Sequence, residues 1–417
     1  MWEQAGIVAV GDEVLTGETV NTNGAWLAQE LLQAGSRVAW QLVVPDDEQA
    51  IADAVRWGLR SVPLVVLVGG LGPTPDDRTR AGVARGLGIG MAVDPEWSAA
   101  LEARHGGEGA SRARSIGAQA MRLDGAELLE NHVGTAPGQL IATPRGAVAL
   151  LPGPPAECRS VAAALTARVE RATGRRIVRH SWRVYDLPES ELAFRLGSLL
   201  TDASGPRTGL YVRPGLVEWR VEVEEGSREA QRLPELLAEA ERRAGVPLFG
   251  QEPAADATAL VRELARRGDT VALAESLTGG MLAAQLTTVP GASRVVLEGQ
   301  VVYTEAAKVR VGVPVSLLST EGAVSGHVAL ALADAVRHRA GATWGLGITG
   351  YAGPEGGDRH HPVGTYYVAL TGPGVSEVRK RRSWSDREWV RGAAAETARH
   401  LLALALAGRL PPGAEGH

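Results

Sequence analysis

The chain has 417 residues, a formal net charge of −5 and an apolar fraction of 45%, which excludes a nucleic-acid coat, a disordered chain and a single small domain; length alone predicts roughly two to four domains. One cysteine, Cys158, excludes intrachain disulfides and a cysteine-built metal site. No run approaches the roughly 18 apolar residues of a membrane span, and the opening Met1-Trp-Glu-Gln-Ala-Gly6 has no secretion signal, so a cytoplasmic protein without membrane partners is expected.

Short apolar runs then alternate with helical spacing: strands over 6–10, 37–43 and 63–68, helices over 23–33 and 47–60. This rhythm predicts a parallel sheet with helices on both faces. Helices over 77–86 and 97–104 follow, then a strand over 147–151, the turn Pro152-Gly-Pro-Pro155 and a helix over 156–172, with a boundary at Thr173-Gly174. From 176 to 245 the pattern changes to a strand (177–185), a helix (189–200), two strands around Pro214-Gly215 and a helix (228–244), which predicts a small α+β module. Its strand over 216–223 alternates Val217, Trp219, Val221 and Val223 with Glu218, Arg220 and Glu222, as a half-exposed strand does. A linker over 247–256 leads to a third segment. There the spacing predicts helices over 257–267, 280–288, 321–340 and 386–407, and strands over 270–274, 295–303, 343–348, 364–370 and 375–383, before Pro411-Pro-Gly413.

Forty-one arginines stand against two lysines, Lys308 and Lys380. A guanidinium cannot give up its proton near neutral pH, whereas an ammonium can. Lys308 is therefore either a general base or an ordinary solvated lysine, as Lys380 within Arg379-Lys-Arg-Arg382 is expected to be. The client of such a base lies in Ala274-Glu-Ser-Leu-Thr-Gly-Gly280, where a strand gives way to a helix. Ligands of open α/β sheets bind outside the carboxyl ends of strands, where a helix N-terminus offers N–H groups to an anion. Ser276 is placed there for chemistry, for phosphate binding, or for capping the helix, a role Thr278 can share. Gly347-Ile-Thr-Gly-Tyr-Ala-Gly-Pro354 can line the same pocket, and Arg387 or Arg391 of the last helix can reach a phosphate or be solvated.

Two glycine-rich loops, Gly11-Asp-Glu-Val-Leu-Thr-Gly17 and Val68-Gly-Gly-Leu-Gly-Pro-Thr-Pro-Asp-Asp77, follow the first and third strands and share one sheet edge. Glycines let backbone approach a phosphate, but carboxylates repel it unless a cation intervenes. Asp12, Glu13, Asp76 and Asp77 thus point to a metal-bound phosphate ester or pyrophosphate, or else to helix-capping acids in surface loops.

The series Ala274-Glu-Ser-Leu-Thr-Gly-Gly280, Gly291-Ala-Ser293, Val301-Val-Tyr-Thr-Glu-Ala-Ala-Lys308, Gly322-Ala-Val-Ser325, Gly347 to Pro354, Gly356-Gly357, Pro362-Val-Gly-Thr365 and Asp386-Arg387 resembles the CinA C-terminal domain. The resemblance implies a nicotinamide-nucleotide amidohydrolase that deamidates nicotinamide mononucleotide (NMN) without a cofactor. It implies Ser276 as nucleophile, Lys308 as base, Tyr303 as substrate orienter or proton relay, and Thr349 at the amide. Thr278, Gly279 and Gly350 would bind the substrate and Arg387 its phosphate. For that role Lys308 must be held neutral, by burial or by a neighbouring positive charge.

The N-terminal loops, with Asn21-Thr-Asn23, Pro45-Asp46, Gly134 to Gly138 and Leu151 to Glu157, resemble the molybdopterin-binding-like domain of the same family. This implies a metal-dependent ADP-ribose pyrophosphatase, with Gly11, Asn23, Gly70, Gly72, Thr74 and Gly153 around the substrate. Asp12, Glu13, Asp76 and Asp77 would hold Mg²⁺, Mn²⁺ or Co²⁺. Asp46 and Asp47 are equal candidates for one further family acid. The fold expected is α/β: a three-layer α/β/α domain over 1–172, a KH-like α+β module over 173–250 and a C-terminal α/β domain over 255–411. The module has no Gly-x-x-Gly loop, which argues against RNA binding. A homodimer is implied by the resemblance. Molybdopterin binding by the N-terminal half, or a non-enzymatic competence or DNA-damage role, are the alternative functions, and net acidity argues against direct DNA contact.

Overall fold

Strand β1 (Gln4–Val10) is buried from its second residue onward, as a strand covered on both faces must be. The computed structural model describes residues 2–105, 110–185, 187–202, 205–250 and 256–410. These fall into two compact units, the first from 1–179 with 223–230, the second from 180–222 with 231–417. After β1 come α1 (Asp12–Leu15), α2 (Thr22–Gln33), β2 (Arg37–Val44), α3 (Glu48–Ser61), β3 (Leu64–Val68), α4 (Thr79–Leu87), β4 (Met91–Val93), α5 (Pro95–His105) and α6 (Ala110–Gln119). Then follow β5 (Met121–Leu123), β6 (Glu127–Leu129), β7 (Gly138–Thr143), β8 (Gly146–Leu151) and α7 (Pro155–Thr173).

The six-stranded sheet runs β2-β1-β3-β8-β7-β6. Leu27 and Leu31 of α2 and Leu165 of α7 pack on one face with Ile7 and Val66. Ile51 and Val55 of α3 and Val83 of α4 pack on the other with Val8 and Val65. The result is the expected three-layer α/β/α arrangement. One expectation is corrected: the sheet is not wholly parallel, because β7 and β6 run antiparallel to their neighbours. The reversal occurs in the tight hairpin before β8, where Gly146 has φ 149 and a Cβ would lie 2.1 Å from the Pro63 carbonyl oxygen, so only glycine lets the chain pass.

The chain continues through β9 (Ile177–Val184), α8 (Glu189–Leu196), α9 (Ser198–Thr201), β10 (Arg207–Arg213), β11 (Leu216–Glu224), α10 (Arg228–Gln231) and α11 (Leu233–Ala244). The three strands form a sheet ordered β10-β11-β9, and β11 alternates buried and half-buried residues as predicted. The helix expected over 189–200 is broken at Gly197, and that over 228–244 ends and restarts before Leu233-Pro234. The expected linker is partly structured, since Phe249 bridges to Arg183; residues 251–255 of it, and Pro411-Pro-Gly413, lie outside the described residues.

The last segment holds α12 (Ala257–Arg267), β12 (Val271–Glu275), α13 (Met281–Thr287), β13 (Val296–Val301), α14 (Glu305–Val311), α15 (Val315–Glu321) and α16 (Gly326–Ala340). It closes with β14 (Trp344–Gly350), β15 (Thr365–Gly372), β16 (Val375–Arg382) and α17 (Arg387–Leu406). Its sheet runs β13-β12-β14-β15-β16, with β12 parallel to both neighbours and β15 and β16 antiparallel. Leu264, Leu282 and Leu402 cover one face, Val311 and Leu332 the other. The helix expected over 321–340 starts later, at Gly326, because the Ser325 side chain accepts from the Val328 N–H and caps it. Of the expected helix only Glu321 lies in the preceding α15, residues 322–325 form the turn between the two helices, and α14 was not anticipated. No helix among the described residues is long and apolar enough to cross a membrane.

Candidate active sites

Strand β12 is apolar up to its last residue, Glu275, which is 1% exposed. The glutamate turns its carboxylate onto the N–H groups of Leu282 (3.0 Å) and Ala283 (2.8 Å) in the first turn of α13. The N-terminus of α13 is therefore satisfied from inside the fold, which corrects the expectation that it is free for an anion. Neither Ser276 nor Thr278 caps it. The Ser276 N–H donates to the Ile348 carbonyl (3.0 Å), and the fully buried Thr278 has an Oγ1 without a partner among the described residues. Gly279 and Gly280, with φ 62 and 90, carry the left-handed turn that brings the chain from strand to helix. Glu275→Ala leaves two buried donors unpaired, and thermal unfolding is expected to show a loss of about 2–4 kcal/mol. Glu275→Gln, which keeps one acceptor, is expected to lose about half as much.

Lys308 sits in α14, whose start is capped by Thr304 accepting from the Ala307 N–H. Its side chain, 2% exposed, donates from Nζ to Ser276 Oγ at 2.8 Å and to the Val302 carbonyl at 3.0 Å. Burial pushes the ammonium down to about 8, against the opposing pull of the Glu305 carboxylate. Of the two causes considered for a neutral lysine, burial is the one this fold supplies. The pair meets because β12 and β13 are parallel neighbours: Glu275 is level with Val301, and the Val302 N–H donates to the Glu275 carbonyl at 2.8 Å.

The other expected residues divide. Ile348 to Gly350 end β14 directly beside the serine turn, but Thr349 is fully buried and donates its hydroxyl to the Ala323 carbonyl at 2.7 Å. Tyr303 is 55% exposed and its hydroxyl accepts from Arg387, whose other Nη donates to the Gly353 carbonyl at 2.6 Å. Arg391, one turn further along α17, donates to the Leu277 and Thr278 carbonyls at 3.1 and 2.9 Å. It braces the serine turn rather than facing a ligand. Sequence reasoning missed this brace and the role of Glu275, although Glu275 adjoins the serine and Arg391 follows Arg387 by four residues.

In the first unit, Gly11, Glu13, Asn23, Asp46, Gly70, Asp76, Asp77 and Gly153 line a cavity of about 300 Å³ at the carboxyl ends of β1, β3 and β8. Asn23 donates to the Gly153 carbonyl at 2.7 Å. Gly72 and Thr74 instead shape the loop, both donating to the Asp77 carboxylate at 2.5–2.8 Å. The two adjacent acids take different places. Asp46 lines the cavity and accepts from the Asp12 N–H at 3.1 Å, whereas Asp47 caps α3 by accepting from the Ala50 N–H at 2.8 Å. Burial raises the Asp46 carboxyl above its ordinary range, and the charges of Asp12, Glu13 and Asp76 add to this against the Asp12 N–H. Among the described residues no three acidic, histidine or cysteine side chains converge as a ready-made metal cage.

Residues 254–406 match the family model described as CinA C-terminal domain, and residues 6–171 match that described as "Probable molybdopterin binding domain". Similar proteins include the CinA-like protein of Anaeromyxobacter sp. (strain Fw109-5), 39% identical over 96% of this chain and 98% of that protein. The CinA-like protein of Frankia casuarinae is 37% identical over 97% of this chain and 96% of its own. That of Acidobacterium capsulatum is 34% identical over 94% and 97%.

Proposed function

The chain belongs to the CinA family, and from that membership we propose that it is a hydrolase with two sites, one releasing ammonia from NMN and one cleaving ADP-ribose. The observation that carries the first activity is the buried contact between Lys308 Nζ and Ser276 Oγ. With its ammonium pushed down to about 8, roughly a tenth of Lys308 is neutral at pH 7. A neutral amine keeps one N–H on the Val302 carbonyl and presents its lone pair to the serine hydroxyl.

Ser276 Oγ then attacks the carboxamide carbon while its proton passes to Lys308 Nζ. Among the described residues, the backbone N–H groups of the serine turn not spent on a carbonyl are those of Leu277, Thr278 and Gly280; with Thr278 fully buried, Leu277 and Gly280 are the candidate donors for the oxyanion. Collapse of the tetrahedral adduct breaks the C–N bond, and the lysine returns its proton to the departing nitrogen as ammonia. Water, deprotonated by the same lysine, hydrolyses the acyl-serine and restores the hydroxyl. Arg387, held at Tyr303 and Gly353 with further N–H groups to spare, is the candidate for the 5′-phosphate.

At the N-terminal site, Asp46 has three like-charged neighbours beside glycine loops. That donor set would suit a Mg²⁺-type ion (Mg²⁺, Mn²⁺ or Co²⁺), which needs only one or two protein carboxylates, better than an ion that requires an all-protein cage. Asp46 with Glu13 or Asp76 would hold it, and when bound it would supply charge neutralisation for the pyrophosphate. Asp46→Asn is expected to cut metal-dependent AMP release from ADP-ribose at least about a hundredfold. Asp47→Ala is expected to keep that activity and lose only about 1 kcal/mol of stability as a lost cap. The second reading, molybdopterin binding, is favoured by the family model over 6–171. No AMP release with any of the three metals, together with saturable molybdopterin binding, would establish it instead.

A further inference from the structure

Away from the serine–lysine pair, the second unit holds an aromatic and basic cluster, built on the buried Tyr185 and Phe249, that the proposed chemistry does not use. Tyr185, just after β9, stacks on His400 of α17 with ring centroids 3.5 Å apart. Phe249 packs edge-on against both, at 5.8 and 4.6 Å. These rings wall a cavity of about 290 Å³ whose other lining residues include Arg379, Arg381 and Arg409.

Charge around this cavity is lopsided. Its acids are already engaged: Glu396 accepts from the Tyr185 hydroxyl at 2.8 Å and pairs with Arg399, and Glu377 pairs with Arg379. Arg409 lies over the Phe249 ring, 5.5 Å from its centroid. Burial first, and then Arg183, Arg379 and Arg381, hold the His400 imidazole down to about 3, so it is neutral. Its Nδ1 is buried with no hydrogen-bond partner among the described residues.

We propose that this cavity binds a compact phosphate-bearing anion, gripped by Arg381 and Arg409 beside the Tyr185–His400 stack. Guanidinium groups match phosphate oxygens in geometry as well as charge. The volume lies at the lower limit of small-molecule sites, about 300 Å³, which suits phosphate, pyrophosphate or a sugar phosphate and excludes a dinucleotide. The site belongs to neither proposed reaction. It borders α17, the helix whose first turns hold the loops around Ser276.

Calorimetric titration of the full chain with inorganic pyrophosphate, at low salt and without divalent cations, tests this. Under those conditions the acidic N-terminal cavity repels the probe. In an Arg387→Met background, which removes the phosphate grip proposed at the serine site, one saturable site is expected, and it is weakened at least tenfold when Arg409→Met or Arg381→Met is added. Arg409 is exposed, so its replacement leaves the fold intact, and unchanged melting confirms this. Binding lost in Arg387→Met but kept in both cavity variants would place the anion at the serine site and overturn the proposal. So would the absence of saturable binding.

Discussion

Ser276→Ala and Lys308→Arg each lower ammonia release from NMN by about three orders of magnitude or more. The arginine variant is the more telling, because it keeps the charge and a donor for Ser276 Oγ, 2.8 Å from Nζ in the native chain. What it removes is the ability to take up a proton at neutral pH. The two side chains act as one unit, so the double variant is no slower than the slower single variant. The native enzyme adds a signature: log kcat/KM rises with unit slope up to about pH 8, where Lys308 loses its proton, and then levels. A Lys308→Arg protein that retains more than about a tenth of native kcat/KM, with the same pH profile, removes the lysine from the chemistry.

Lys308→Met, equally inactive, is expected to melt higher than the native protein at pH 7. Holding the ammonium at about 8 rather than at its ordinary 10.5 means that the charged form is disfavoured in the fold by roughly 3 kcal/mol. Removing the amine also leaves the Val302 carbonyl and Ser276 Oγ without their donor, which costs about 1–2 kcal/mol. The net gain is about 1–2 kcal/mol, or roughly 2–6 °C in Tm for a unit of this size. The pH dependence follows from proton counting. Below about pH 8 lysine is charged in both states and the full cost persists. Between about 8 and 10.5 the unfolded chain holds the proton and the folded chain does not, so native stability rises with pH across that window. The advantage of Lys308→Met is therefore expected to vanish by about pH 10. A variant that melts lower at pH 7, with a gap independent of pH, shows that burial does not strain the native lysine.

What could be read in the sequence was what is local in the chain. The strand that ends at Ser276, the glycines that turn it, and the rarity of lysine marked one site; glycine loops next to paired acids marked the other. The antiparallel strands β6 and β7 escaped because one is three residues long and the other is a hairpin arm whose partner is decided by the close pass of Gly146 over Pro63. The meeting of Ser276 with Lys308, 32 residues on, depends on the order β13-β12-β14, which no local pattern encodes. Asp46 and Asp47 are chemically identical neighbours, and only the start of α3 separates the cavity acid from the cap.

Amine-directed coupling offers a practical use for the scarcity of lysine. Lys308 is 2% exposed, while Lys380 is exposed on β16, at the far edge of the sheet from β13. An activated-ester resin or dye presented to the folded protein therefore finds one lysine side chain and not the other. Immobilisation through Lys380 would tether the molecules through the same strand, leaving the nucleophile and its base unmodified.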